Sequence, residues 1–216
     1  MKKRNIWLVI VPILLFALLA ACISAGIITN FECWAYNEAI EHMSPFLTDI
    51  VKGITHIGDS ITVISFCLLL ILLPKSRKSI ALPVSITVIA SVLLNYVLKN
   101  IFTRERPDIL RLINETNYSF PSGHAMNNAA LYTILILCIL KFVMNRPAKI
   151  ALSGICLILV LAIGFSRVYL GVHYAGDIIG GWLIGFSIAV LVYSLWNGKV
   201  FLKKEEISKD PPVDRS

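Results

Sequence analysis

The chain has 216 residues, 57% of them hydrophobic and only 15% charged, with a mean hydropathy of +0.78. Soluble domains carry about 25% charged residues, so this composition excludes an ordinary water-soluble globule and points to a bilayer as solvent. The formal net charge of +7 would suit a nucleic-acid partner if the cations shared one surface, but they are dispersed among short connections, which excludes that class.

In chain order, the basic start Met1–Arg4 precedes a first apolar run, Ile6–Thr29. A basic start before an apolar run resembles a signal peptide, and Leu19-Ala20-Ala21-Cys22 resembles a bacterial lipoprotein cleavage site. The run continues through Ile23, Ile27 and Ile28, longer than a signal h-region, and is read as a retained first span. Next comes SPFLTDIVKGITHIGD, with Ser44 as cap, Pro45 in the first turn and Gly58 at the end. Phe46, Leu47, Ile50, Val51 and Ile54 share one face, which predicts an amphipathic helix lying in the outer interface. Five further apolar runs follow: Ser60–Leu73, Ile80–Leu98, Ala125–Leu140, Ile150–Phe165 and Ile178–Trp196. The second and fourth spans are short of the ~20 residues needed to cross and must borrow flanking residues. The predicted fold is all-α, a six-transmembrane-helix bundle with an outer interfacial helix, in one domain over residues 1–216. Asn197–Ser216, polar and containing Pro211-Pro212, is expected to be a loose cytoplasmic tail.

Six crossings put Met1–Arg4, the Lys75–Lys78 and Lys141–Lys149 connections and the tail on one side. Those segments hold 14 of the 20 Lys and Arg residues, so that side is expected to be cytoplasmic. The five cysteines, Cys22, Cys33, Cys67, Cys138 and Cys156, have no metal or redox spacing and read as packing residues, Cys33 alone lying in an outer loop.

The six basic residues left for the outer side are Lys52, Lys99, Arg104, Arg106, Arg111 and Arg167. Five lie at two connections, Lys99–Pro121 and Arg167–Ala175, a concentration that the positive-inside rule disfavours. Headgroup anchoring, or ion pairing with Glu105, Asp108 and Glu115, accounts for Arg104 and Arg111. The others belong to a constellation. If the outer ends of spans three to six are adjacent, KNIFTRERP, PSGH and SRVYLGVHYAGD converge. His173 and Asp177 are four apart, so on a helix they share a face; a carboxylate on one imidazole nitrogen leaves the other free to attack. Lys99, Arg106 and Arg167 repel a metal ion and welcome a multiply charged anion, and guanidinium forks match phosphate oxygens. Ser122 and Gly123 open a helix whose free N–H groups and dipole also favour phosphate. His124 then serves as general acid for the leaving oxygen while His173 attacks phosphorus from the other side.

These residues resemble the type 2 phosphatidic acid phosphatases, whose motifs K-x6-R-P, P-S-G-H and S-R-x5-H-x3-D stand complete here. They are Lys99…Arg106-Pro107, Pro121-Ser122-Gly123-His124 and Ser166-Arg167…His173…Asp177. The resemblance covers roughly Lys99–Gly181. It implies a phosphohistidine on His173 oriented by Asp177, His124 as acid, phosphate held by Lys99, Arg106 and Arg167, and neither metal nor cofactor. The implied substrate is a phospholipid or polyprenyl phosphate (phosphatidylglycerophosphate, phosphatidate or undecaprenyl diphosphate), met by a multi-pass protein at the extracytoplasmic face.

A non-catalytic lipid-binding or transport protein would need the cations but not both histidines and Asp177. Vanadate-dependent haloperoxidases share the anion cradle but are soluble. His42 and His56 are read as solvent-facing and unpaired, and Asn127 and Asn128 as interhelical bonding groups, with support of His124 as their second reading. Gly176, Gly180, Gly181 and Gly185 are expected to allow close helix packing around Asp177. The sequons at Asn114 and Asn117 are chance matches.

Overall fold

The computed structural model describes residues 3–74, 77–108 and 110–209. Every regular element among the described residues is helical. These are α1 (Lys3–Ser24), α2 (Thr29–Glu41), α3 (Pro45–Ile57), α4 (Ser60–Leu72), α5 (Leu82–Phe102), α6 (Gly123–Phe142), α7 (Arg146–Tyr169) and α8 (Ala175–Lys209). A π-helical turn, Arg77–Ala81, leads into α5.

Five stretches are long and apolar enough to cross a bilayer: Ile6–Ser24, Arg77–Phe102, Gly123–Phe142, Arg146–Tyr169 and Ala175–Asn197. A sixth crossing exists only when α3 and α4 count as one span bent by 43°. The expected outer helix is therefore present, its Ser44 hydroxyl accepting from the Leu47 amide at 3.2 Å, but it continues into α4 instead of standing apart. The reason is length, since the 13 residues of α4 rise about 20 Å at 1.5 Å per residue and fall short of a ~30 Å hydrocarbon core.

Two further expectations fail at element boundaries. The first span ends at Ser24, where Gly26 takes φ +70°, and a separate helix α2 follows. The sequence offered no apolar periodicity for α2, because its buried Glu32 and Tyr36 face polar partners. At the other end α8 stays helical to Lys209, where a loose tail from Asn197 was expected; 210–216 lie outside the described residues.

The core is organised around α6, which packs against α5, α7 and α8, while α1 lies on α8. Val84, Leu131, Ile134, Ile163 and Ala189 fill one apolar cluster, and Phe16, Phe120, Met126, Ile184 and Ile188 another. Outward, Leu14, Leu18, Ile61, Leu93 and Ile158 are widely exposed, the apolar surface a bilayer would solvate. Cys67, Cys138 and Cys156 are buried as packing groups, whereas Cys33 is exposed.

The predicted small-residue contact is real. A Cβ on Gly185 would stand 2.3 Å from the Met126 carbonyl oxygen, and one on Gly181 would stand 2.9 Å from that of Ser122. α8 therefore lies backbone to backbone on α6, and one turn earlier this brings the Asp177 carbonyl to the Ser122 amide at 3.1 Å. Gly185→Ala is expected to destabilise the fold by about 1–3 kcal/mol through overpacking. Gly154→Ala, on α7 with nothing within 4 Å, should leave the melting temperature in detergent nearly unchanged. Equal melting temperatures for the two variants would contradict the close packing.

Candidate active site

Three chain segments meet at one end of the bundle: the last turn of α5, the loop 103–122 with the first turn of α6, and the turn 170–174 joining α7 to α8. The last is fixed by Gly171, at φ +71°, where a Cβ would fall 1.8 Å from the Leu110 carbonyl oxygen. Tyr36 of α2 clamps the same loop, donating to the Leu110 carbonyl and accepting from its amide, each at 2.9 Å.

His173 sits just before α8, not on it, yet Nδ1 still lies 3.3 Å from Asp177 Oδ2. Both side chains are buried. Arg106 Nη1 approaches the other nitrogen, Nε2, at 3.1 Å. A guanidinium only donates, so Nε2 must present its lone pair and Nδ1 must carry the proton that faces Asp177. His173 is thus held in the tautomer that leaves Nε2 free. Burial drives its pKa down to about 3 against the opposing Asp177 contacts, with Arg106 and Lys99 adding to the depression. This folded value lies below the unfolded value of about 6.5. His173's contribution to stability is therefore intact above that pH and lost as pH falls toward 3, because the unfolded chain binds a proton the folded one refuses. Histidine 15N chemical shifts are expected to show this ring neutral, with Nδ1 protonated, from pH 7.5 to pH 5; an imidazolium signal for it in that range would refute the assignment.

Asp177 is tied on every side. Oδ2 accepts from Ser119 Oγ and from the Tyr174 amide at 2.9 Å, and Oδ1 accepts from Arg104 Nη1 at 2.7 Å. Arg104 also forks onto Glu32 of α2 at 3.0 and 2.6 Å, and its guanidinium lies 4.2 Å from the Tyr174 ring centroid. The expected headgroup anchoring of Arg104, or its pairing with Glu105, Asp108 or Glu115, is thus corrected: it is a half-buried bridge between two buried carboxylates. Arg111 does pair with Asp108, at 3.3 Å.

The predicted cations converge. Lys99 donates to the Tyr118 carbonyl, and Arg106 reaches the Asn117 carbonyl at 2.6 Å and the Val172 carbonyl at 2.8 Å. Arg167, only 1% exposed, donates to Thr55 Oγ1 at 2.8 Å and to Glu115, while its Nε is buried without a partner. The Glu115 carboxylate thus rests on Arg167 and lies 3.8 Å from Arg106. Burial favours its neutral form, but Arg167 and Arg106 overrule that and pull it below the ordinary range.

His124, in the first turn of α6, points its Nε2 at Asp59 Oδ1, 2.9 Å away. Lys99, Arg106, Gly123, His124 and His173 all line one cavity of about 270 Å³. Ser122 behaves otherwise: it is fully buried, its hydroxyl accepts from the Ala125 amide at 3.4 Å, and its side chain serves as helix cap. Asn127 accepts from Ser91 of α5 at 2.7 Å, the interhelical bond expected of it. Asn128 donates to the His124 carbonyl at 2.9 Å and to the Gly58 carbonyl at 3.0 Å. His56 is exposed as expected but not unpaired, its Nδ1 standing 2.7 Å from Asp59 Oδ2.

Sequence reasoning missed Ser119, Arg104, Glu32, Thr55 and Asp59 as site components. Ser119 and Arg104 stand inside or beside the motifs, where proximity was a usable signal. Glu32, Thr55 and Asp59 come from α2, α3 and the α3–α4 hinge, which no local pattern connects to the rest.

Residues 80–201 match the PAP2 superfamily. Phosphatidylglycerophosphatase B of Bacillus subtilis is 34% identical over 189 residues, covering 83% of this chain and 90% of that one. An undecaprenyl-diphosphatase of Sulfolobus acidocaldarius is 24% identical over 217 residues, 97% of this chain and 100% of that one. The crystal structure of a transmembrane PAP2 type phosphatidylglycerolphosphate phosphatase from Bacillus subtilis superposes with a TM-score of 0.82 at 29% identity, over 90% of this chain and 98% of that one. Aquifex aeolicus LpxE shares the fold, with a TM-score of 0.59 at 22% identity over 74% of this chain and 92% of that one.

Proposed function

From the premise that the chain belongs to the PAP2 superfamily and is a multi-pass membrane lipid phosphatase, we propose that it releases phosphate from phosphatidylglycerophosphate through a phosphohistidine on His173. The observation that carries this reading is the shared cavity, in which both imidazoles stand beside Lys99 and Arg106. The 34% identity to a phosphatidylglycerophosphatase B supports the choice of substrate, and the similarity to an undecaprenyl-diphosphatase keeps a prenyl diphosphate as the second one to try.

In the first step the Nε2 lone pair of His173 bonds to phosphorus and the P–O bond to the lipid breaks. His124 delivers its proton to the departing oxygen. Asp177 accepts the Nδ1–H hydrogen bond throughout and offsets the positive charge that the ring gains. In the second step water attacks phosphorus, His124 takes back a proton, the P–N bond breaks and His173 returns to its neutral state. Lys99, Arg106, Arg167 and the first amides of α6 stabilise charge on the transferring group. Arg106 moves from Nε2 to a phosphate oxygen as the substrate arrives. The distribution of basic residues supports a reaction on the extracytoplasmic side.

The test is phosphate release by the purified protein in detergent from phosphatidylglycerophosphate, phosphatidate and undecaprenyl diphosphate side by side. Release from the first is expected to be fastest and to be blocked by vanadate. Binding of these lipids without release would favour a carrier instead, and faster release from the diphosphate would reassign the substrate.

A further inference from the structure

Asp59 occupies the N-cap position of α4, where an aspartate ordinarily bonds a free helical amide. Here it makes no cap bond. Its carboxylate is turned instead between two imidazoles, Oδ1 lying 2.9 Å from His124 Nε2 and Oδ2 lying 2.7 Å from His56 Nδ1. The hinge that carries it is fastened to the same turn of α6: Asn128 Nδ2 bonds both the Gly58 and the His124 carbonyls. Nor is there room to slide, because a Cβ on Gly58 would meet Ile163 at 2.6 Å, Asn128 at 2.7 Å and the His124 ring at 3.3 Å. The 43° bend between α3 and α4 thus delivers a carboxylate to the second imidazole of the cavity.

On the reading that His124 is the general acid, we propose that Asp59 is its positioning residue, fixing the ring and serving as counter-ion to its proton-carrying form. The site then contains two carboxylate–imidazole pairs of opposite duty. Asp177 bonds Nδ1 of His173 and leaves Nε2 to attack; Asp59 bonds Nε2 of His124 and leaves Nδ1 to surrender its proton to the lipid oxygen. His56, with its side chain 73% exposed, holds the second oxygen of Asp59 and keeps the carboxylate plane aligned. The charged groups around His124 are Asp59 from the hinge, Glu115 from the loop and Arg167 from α7, with Lys99 and Arg106 lining the same cavity. Asp59 is the one among them that touches its ring nitrogen.

The experiment compares two leaving groups in the full-length protein. A lipid phosphate expels an alkoxide that needs a proton, whereas p-nitrophenyl phosphate expels a phenolate that leaves without one. Asp59→Asn is expected to lower kcat on the lipid phosphate by about 10–100-fold, with KM changed by less than about threefold. Its loss on p-nitrophenyl phosphate should be several-fold smaller, and the alkaline limb of the kcat profile on the lipid should move to lower pH. His124→Ala should show the same selective loss, larger in size. Compared in kcat/KM, which leaves out the phosphohistidine hydrolysis that both substrates share, equal losses of Asp59→Asn on both substrates, or none, overturn the role of Asp59 while leaving His124 as acid; equal losses in His124→Ala overturn the acid assignment and this proposal with it. Asp59→Glu, which keeps the carboxylate, is read by the same ratio and should retain more lipid activity than Asp59→Asn, so that a folding defect in the amide variant does not decide the matter.

Discussion

Replacing His173 with alanine is expected to lower kcat on a lipid phosphate by at least ~10⁴-fold, the scale on which removal of a covalent nucleophile is felt. What the substitution removes is specific: the Nε2 lone pair presented to Arg106 and the Nδ1–H presented to Asp177. No other imidazole is placed to replace it, because His124, the other histidine of the cavity, is turned to Asp59. The ring is buried, so alanine also leaves a gap, and His173→Gln serves as the companion variant that fills the space and can accept from Arg106. Both should insert, superpose in melting behaviour to within a few degrees and remain inactive. Phosphate release within tenfold of the parent by either variant, with lipid as substrate, would remove His173 from the chemistry.

The second large effect is expected at Arg104, at one of the unspecified positions within the first motif. Its guanidinium neutralises Asp177 and Glu32 together, and all three groups are largely withdrawn from solvent, with side-chain exposures of 18, 0 and 5%. Arg104→Ala leaves two buried carboxylates facing one another without a cation, a change expected to cost about 3–5 kcal/mol. It should also reduce kcat, because Asp177 loses the contact on Oδ1 that holds its other oxygen toward His173. Adding Glu32→Gln to Arg104→Ala removes one of the stranded charges. The double variant is therefore expected to recover part of the stability but little of the activity, a non-additivity read by a double-mutant cycle. Melting curves that place Arg104→Ala within about 1 kcal/mol of the parent would show the bridge to be dispensable.

Much of the site was legible from the sequence because its chemistry is carried by residue types at fixed spacings. Lys99, Arg106, His124, Arg167, His173 and Asp177 are the residue types that the proposed phosphate chemistry calls for, and the structure brings all six to one end of the bundle. Ser122 was read as part of the phosphate cradle, whereas its hydroxyl caps α6 by accepting from the Ala125 amide. The supporting contacts were not legible, because they are tertiary. Asp59 and His124 are 65 residues apart, and Arg104 and Glu32 are 72 apart; no periodicity records such meetings. The helical spans followed from apolar length and the break at Gly58 from turn chemistry, but α2 did not. In α2 the buried Glu32 and Tyr36 answer to partners elsewhere in the chain and not to an apolar face, so the pattern that announces an amphipathic helix is absent.

Glu115 has a consequence for turnover. On the proposed reading, in which both guanidiniums hold the substrate phosphate, the carboxylate already seated on them makes anion capture an exchange and not a simple addition, and the incoming dianion gains only the difference between its own contacts and those it ejects. Three cations less one carboxylate leave two positive charges, about what a phosphoryl dianion requires. The same side chain that delays arrival is then available to help evict inorganic phosphate, so a pocket this rich in arginine need not become a product trap.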